Sequence, residues 1–127
     1  MVHLREENVE YFTEKEEEFT SLLVEIGTKK TIAKVLVFLA GTPKASSRAI
    51  EHGTDMRQPE ISIATKYLTD QGWIKSSEIP PENKGRPVKI YELAKPINAI
   101  MNSIEEEKKL EAKNQLALVK KLRNYLD

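Results

Sequence analysis

The sequence predicts a mainly α-helical protein with one small β-hairpin. Apolar residues recur at helical spacing along most of the 127 residues, and only two short stretches, at 73–75 and 88–93, are typical of strands. Glycine and proline fall at the borders of these stretches, where chain turns are expected. With 39% apolar and 31% charged residues, the composition is typical of a soluble globular protein with one modest core and long exposed helices.

Two helices are predicted at the start of the chain. The first runs from Leu4 to Ile26 and ends at Gly27, a favourable residue for a helix C-terminus. Its predicted apolar stripe consists of Leu4, Tyr11, Phe19, Leu22, Leu23 and Ile26. The second runs from Thr28 to Ala40, and its wide apolar face is typical of a central core helix.

Two shorter helices are predicted next. One spans about Ala45 to His52, with Ser46 or a neighbour as its N-terminal cap. A tight connection over residues 53–56 leads to the other, which opens at Gln58-Pro59-Glu60 and ends at Gln71-Gly72. Proline is favourable in a first helical turn, because its missing N–H has no helical partner there.

The predicted hairpin pairs a strand at Trp73–Lys75 with a strand at Val88–Leu93, and residues 79–87 form a long polar loop. A last helix runs from Pro96 to about Tyr125. The predicted division is therefore an N-terminal helix at 1–27, a central domain at 28–95 and a C-terminal helix at 96–127.

The last helix has roughly 30 residues and a length of about 45 Å, more than a domain this small covers. We expect its apolar side chains and those of the first helix to pack across a two-fold axis in a homodimer. The predicted dimerisation residues are Leu4, Tyr11, Phe12, Ile97, Ile100, Met101, Ile104, Leu118 and Leu122. The alternative is that the last helix folds back on its own domain.

Charge is distributed unevenly, although the net charge is zero. Residues 1–27 carry two basic and eight acidic side chains, a net of −6, whereas residues 28–96 carry twelve basic and seven acidic ones, a net of +5. A basic central unit is the electrostatic feature that DNA binding requires.

The segment from Ser46 to Ile74 resembles the winged helix-turn-helix transcriptional regulators of archaea and bacteria, the group that contains the MarR, ArsR and TrmB families. The run Met56-Arg57-Gln58-Pro59-Glu60-Ile61-Ser62 is similar to the start of their recognition helix. Lys84-Gly85-Arg86-Pro87, with the strand Val88–Leu93, is similar to their wing. The resemblance covers about residues 19–95 and implies a dimeric regulator that places this helix in the major groove and the wing in the minor groove.

The predicted DNA contacts follow from this placement. Arg57 suits guanine and Gln58 suits adenine, while Arg86 at the wing suits a narrow minor groove. Two residues depart from the usual pattern: Glu60 repels phosphate but accepts from cytosine, and Ile63 touches a thymine methyl. The full predicted set is Thr42, Lys44, Ser46, Ser47, Arg57, Gln58, Pro59, Glu60, Ser62, Ile63, Lys66, Lys84, Gly85 and Arg86.

Several function classes are disfavoured. The absence of cysteine excludes disulfides and thiolate metal sites and favours a reducing cytoplasm. Two distant histidines, no glycine-rich phosphate loop and no Ser-His-Asp arrangement argue against an enzyme. We therefore expect no catalytic residue, metal or cofactor. No apolar run approaches the ~18 residues that span a bilayer, and the polar start is no signal peptide.

The predicted partners are double-stranded DNA with a palindromic operator and a second copy of the chain. No residue pattern indicates a small-molecule effector. The main alternative is a winged helix that contacts another protein in transcription or replication machinery. Neutral net charge, Glu60 and Ile63 favour that alternative, and the two are distinguished by whether a continuous positive surface joins Arg57, Lys66 and Arg86.

Overall fold

A computed structural model describes residues 12–80 and 85–127. Its elements in chain order are α1 (Glu14–Glu25), α2 (Lys30–Gly41), β1 (Ala45–Ser46), α3 (Ser47–Thr54), α4 (Gln58–Asp70), β2 (Ile74–Ile79), β3 (Val88–Leu93) and α5 (Ile97–Asn124). The chain divides into two compact units, the first ending at Ala94 and the second spanning Lys95–Asp127. The predicted mainly helical class is confirmed.

Helix α2 is the centre of the first unit. It contacts α1, α3, α4 and β3, and most of its side chains are buried. The buried residues are Ile32, Ala33, Val35, Leu36, Val37, Phe38 and Leu39. This helix is apolar around most of its circumference, as expected for a core helix with neighbours on several sides.

Among the described residues, the sheet has three antiparallel strands in the order β1-β3-β2. Strand β3 pairs with β2 from Ile74 opposite Leu93 to Ile79 opposite Val88, and Ala45 lies opposite Tyr91 on its other edge. Helices α2, α3 and α4, a short strand between α2 and α3, and a hairpin that adds to that strand make the winged-helix arrangement. The predicted resemblance to winged-helix proteins is confirmed at the level of the fold. The sequence predicted a sheet of two strands only, and the third strand, β1, was not predicted.

Helix α1 begins later than the sequence suggested. Thr13 caps it: the Thr13 hydroxyl accepts a hydrogen bond from the Glu16 backbone N–H at 3.1 Å, and the Glu16 carboxylate accepts from the Thr13 N–H at 2.9 Å. This capping box fixes the first helical residue at Glu14, so the helix predicted through Phe12 and Thr13 was wrong there. The predicted stripe residues Leu4 and Tyr11 lie outside the described residues.

The apolar stripe predicted for α1 also differs. Leu23 and Thr20 are buried, but Leu22 and Ile26 are exposed. Thr20 is accommodated because its hydroxyl donates to the Glu16 carbonyl at 2.9 Å. A buried threonine therefore occupies a position that the pattern of large apolar residues did not indicate.

Helix α3 begins at Ser47, not at Ala45, because Ala45 and Ser46 belong to β1. It also continues through Gly53 and Thr54, where a tight connection was predicted. A Cβ atom on Gly53 would overlap the ring of Phe38, so glycine allows α3 to lie close against α2. The turn falls instead at Asp55, which has a left-handed conformation with φ of 56°.

Strand β2 extends to Ile79, four residues beyond the predicted strand end at Lys75. Side chains on both faces of its outer part are exposed, so no apolar alternation marked it as a strand.

The second unit consists mainly of the 28-residue helix α5. Among its predicted dimerisation residues, Ile100 and Ile104 are buried within the single chain, and Ile97 and Met101 are partly buried. Leu118 and Leu122 are exposed by 57% and 67%. Within the described ranges, no helix combines the length and apolar character needed to cross a bilayer.

Candidate nucleic-acid interface

Helix α4 has one buried face and one exposed face. Ile61, Ala64, Thr65 and Leu68 are buried, at the three- and four-residue spacing of one helical side. The residues directed away from the core are Pro59, Ser62, Ile63, Lys66 and Asp70. The helix therefore presents a continuous exposed surface along its length.

The start of α4 is fixed by Glu60. Its carboxylate accepts a hydrogen bond from the backbone N–H of Arg57, the N-terminal cap residue, at 3.1 Å. A carboxylate in the first helical turn is also favoured by the helix dipole. This local role accounts for an acidic residue in a helix predicted to bind DNA. The Arg57 residue itself is exposed.

Gln58 links α4 to α3. Its Nε2 donates hydrogen bonds to the Glu51 carboxylate at 3.0 Å and to the Ser47 carbonyl at 3.3 Å, and the residue remains exposed. The first turn of α4 is thereby attached to the first two turns of α3. Neither Gln58 nor Ser62 is buried.

The start of α3 carries several predicted phosphate contacts. Ser46 is the N-terminal cap, as predicted, and its hydroxyl accepts from the Ala49 N–H at 3.1 Å. Lys44 is exposed, and Thr42 and Ser47 are partly buried. Arg48 is also exposed in this first turn, but it was not among the predicted DNA contacts. A cation directly after two serines at a helix start is a pattern that indicates a phosphate contact.

A groove of about 260 Å³ separates α4 from the sheet. Its walls are Ser62, Thr65, Lys66, Thr69 and Asp70 of α4 and Ser76, Lys89 and Tyr91 of β2 and β3. The exposed face of α4 and the wing strands consequently open to the same side of the first unit. Lys89, an exposed cation in this groove, was not among the predicted contacts.

The cation at the edge of this groove has a partner. The Lys66 ammonium lies 3.2 Å from the Asp70 carboxylate, and the two side chains are 78% and 62% exposed. An exposed pair of this kind contributes little to stability, so Lys66 can exchange Asp70 for another anion.

At the wing, Gly85 and Arg86 are exposed just before β3, while Lys84 lies outside the described residues. The structure thus brings the Ser62 and Lys66 side of α4 together with the base of the wing.

A second groove, of about 430 Å³, lies on another side of α4. It is lined by Ile63 and Tyr67 of α4, Glu60, and residues around the turn between α1 and α2. Ile63 is 68% exposed and forms part of the wall of this second groove. The Tyr67 ring packs edge-on against Trp73, with centroids 6.5 Å apart.

Metal binding has no geometric basis in the described ranges, where no three His, Asp or Glu side chains cluster around a common point. The chain has no cysteine to add a thiolate ligand.

Comparison with known proteins gives structural similarities at low sequence identity. No protein-family model matches the sequence. No curated protein sequence matches it either. Diamide-treated YodB from B. subtilis is 15% identical, with a TM-score of 0.48 over 81% of this chain and 94% of that one. A MarR-family transcriptional regulator from Porphyromonas gingivalis is 16% identical, with a TM-score of 0.47 over 82% and 98%.

ZitR from Lactococcus lactis is 21% identical, with a TM-score of 0.44 over 81% of this chain and 78% of that one. Because these TM-scores lie below 0.5, the winged-helix assignment depends on the chain's own element order and strand pairing.

Proposed function

We propose that this protein is a transcriptional regulator that binds double-stranded DNA through α4 and the wing. The observation that carries the proposal is the groove shared by α4 and the sheet, since it places the outward face of a helix and the base of a hairpin on one side. That is the arrangement needed for a helix in the major groove and a wing beside it.

In this proposal the N-terminal half of α4 enters the major groove. Arg57 contacts a guanine, and Ser62 and Ile63 face base edges, because all three are exposed at or just after the helix start. Lys66 binds a backbone phosphate after leaving Asp70.

Phosphates of the same duplex lie at the start of α3. Lys44, Ser47 and Arg48 supply positive charge and a hydroxyl next to backbone N–H groups that lack helical partners. These contacts are independent of base sequence and set the orientation of α4 in the groove.

The wing reaches the adjacent minor groove. Arg86 is exposed next to Gly85, and an arginine side chain is attracted to the strongly negative potential of a narrow minor groove. Lys89 on β3 extends the positive charge from the wing toward Lys66.

The functional unit is a homodimer in the cytoplasm that binds a palindromic operator. Exposed apolar side chains near the end of α5, Leu118 and Leu122 among them, favour a second copy as their partner. Two α4 helices spaced by about 34 Å, one turn of B-DNA, fit two symmetric half-sites.

The test is a titration of operator-sized duplexes, including random-sequence pools and the native upstream region, at several salt concentrations. We expect binding that weakens as salt rises, because phosphate contacts release counterions. A dissociation constant above ~10 µM for every duplex at low salt contradicts the proposal, since nonspecific binding alone reaches about 10⁻⁴ to 10⁻⁶ M at higher salt.

A protein-binding module is the second candidate, and one observation favours it. Ile63 is exposed on the outward face of α4, and it lines the second groove together with the apolar groups of Tyr67 and Ile32. A partner protein would cover that groove and would not need Arg57 or Arg86. Loss of duplex binding in Arg57→Ala and Arg86→Ala supports DNA as the ligand, whereas the absence of any duplex binding favours the module.

A further inference from the structure

The amide of Gln58 is oriented by its neighbours. Both groups within hydrogen-bonding distance, the Ser47 carbonyl and the Glu51 carboxylate, are acceptors without a hydrogen to donate. The NH₂ end of the amide must therefore face them. The orientation follows from the chemistry of the partners and not from a distinction between oxygen and nitrogen positions.

In this orientation both N–H donors of the Gln58 side-chain amide are already hydrogen-bonded within the protein. An amide nitrogen carries two hydrogens, and the two contacts at 3.0 and 3.3 Å account for both. The group left for an external ligand is the amide oxygen, Oε1, which can only accept.

Reading adenine through two hydrogen bonds needs more than that. The amide oxygen accepts from the exocyclic amino group of adenine, while the amide nitrogen donates to N7. With its nitrogen held by Glu51, Gln58 can make the first of these bonds but not the second. Releasing the nitrogen would exchange a charge-assisted hydrogen bond for a weaker bond to a neutral ring nitrogen.

We infer that Glu51 determines the base preference of Gln58, leaving only its Oε1 to accept a hydrogen bond from an exocyclic amino group in the major groove. Adenine and cytosine both present such a group. Glu51 is a positioning residue that acts through Gln58. The inference rests on the proposed function, because it assumes that the start of α4 faces a duplex.

The experiment uses the best duplex that the wild-type protein selects from a random library. Each adenine is replaced in turn by purine deoxyriboside, which lacks the amino group, or by 7-deazaadenine, which lacks N7. Each cytosine is replaced by its 2-pyrimidinone analogue, which lacks the amino group. Affinity is measured by fluorescence anisotropy for wild type, Gln58→Ala, Glu51→Ala and Glu51→Gln, with circular dichroism to verify folding.

For wild type, removal of one amino group per half-site should weaken binding about fivefold, the effect of one hydrogen bond. Whether purine deoxyriboside or the pyrimidinone gives this loss identifies the base as adenine or cytosine. The loss should disappear in Gln58→Ala, and where the base is adenine 7-deazaadenine should leave the wild-type affinity unchanged.

Glu51→Ala frees a hydrogen of the Gln58 amide. Where the base is adenine, this variant should become sensitive to 7-deazaadenine, and where it is cytosine, the variant should gain affinity for adenine at that position. Glu51→Gln keeps an acceptor oxygen for the Gln58 amide and should retain the wild-type pattern.

A wild-type protein that loses as much affinity with 7-deazaadenine as with purine deoxyriboside overturns the inference, because Gln58 would then make both bonds. The inference is also overturned if Gln58→Ala loses the same affinity as wild type when the base amino group is removed. It is overturned as well if Glu51→Ala shows the same base preference and the same response to 7-deazaadenine as wild type. These results leave the proposed function intact. Failure to select any duplex overturns the proposed function and the inference together.

Discussion

Gly53 shows how one side chain, or its absence, sets the distance between two helices. Its helical position against Phe38 leaves no room for a methyl group, and Phe38 is itself buried in α2. Since α3 also carries Gln58's partners Ser47 and Glu51, the close contact at Gly53 helps to fix where α4 begins.

Gly53→Ala should destabilise the protein by about 1–3 kcal/mol, because the added methyl group forces the Phe38 ring out of a packed site. Alanine has a better helix propensity than glycine by about 1 kcal/mol, which favours the variant. The net loss of stability is expected because the steric overlap with Phe38 outweighs this gain. Urea unfolding measures the change. Combining Gly53→Ala with Phe38→Leu should recover part of the loss, and a single variant as stable as wild type would contradict the expected contact.

Ser46 allows its capping role to be separated from phosphate binding. Ser46→Ala should lower stability by about 1 kcal/mol because the Ala49 N–H loses its acceptor. Ser46→Asp keeps an acceptor and should retain stability, but its negative charge should weaken duplex binding. The measurements are urea unfolding and anisotropy; full DNA affinity in Ser46→Asp would place Ser46 away from phosphate.

Single residues also show where sequence reasoning succeeds. The cap at Ser46 and the burial of Ile61 and Leu68 could be predicted, because capping and helical periodicity are local. The capping box of Thr13 and Glu16 was equally local and should have marked the start of α1. Gly53 was predicted to lie in a turn, but it is helical and lies against the ring of Phe38, where a larger residue would not fit. Because Phe38 is fifteen positions away in sequence, no local pattern indicates that contact.

Among the elements, α4 combines a fixed start with an exchangeable ion pair further along. Glu60 and Gln58 hold its first turn through bonds to Arg57 and α3, whereas Lys66 and Asp70 form an exposed pair. The helix thus has one hydrogen-bonded amide at its start and an exchangeable cation further along.

Lys66→Ala should weaken binding to all duplexes by a similar factor and reduce the slope of log K against log salt concentration by about 1, the effect of one lost phosphate contact. Salt titrations of wild type and variant measure it. Asp70→Asn frees the ammonium and should raise affinity. Lys15→Ala, which removes an exposed cation on α1, is the matched control. If this variant changes the salt slope as much as Lys66→Ala does, the assignment of Lys66 as a phosphate contact is wrong.

The helices and strands differ in how well the sequence predicts them. The order of helices and strands follows from periodicity and from Gly and Pro positions, so most of it could be predicted. Strand β1 could not, because two residues are too short for alternation and its pairing depends on Ile90 and Tyr91 far along the chain. The groove with Lys89 was missed for the same reason: it exists only after β3 pairs with β2 beside α4.

In the assembled protein, α5 supplies the surface by which the proposed dimer forms. Its middle carries exposed ion pairs within the helix, such as Lys109 with Glu105, while Leu118 and Leu122 are exposed apolar side chains. Exposed leucines four residues apart lie on one helical side and suit a helix–helix contact.

Introducing charge at this surface should separate the two copies. Leu118→Glu combined with Leu122→Glu should reduce the mass measured by light scattering at micromolar concentration to 14.5 kDa, half that of the wild-type dimer. The double variant should also bind a palindromic duplex no better than a single half-site. Lys120→Glu, on another side of α5, should stay dimeric, and a 14.5 kDa wild-type protein would contradict the proposed dimer.

Strand β3 has a consequence for synthesis of the protein. It is the last strand in sequence but the middle one in space, and Ala45 and Ser46, which lead into α3, pair with it. A nascent chain that has not yet emerged as far as residue 91 has no partner for these two residues. Closing a loop of this length is slow compared with forming single helices. The final positioning of α3 and the assembly of the hairpin should therefore be one late event in folding.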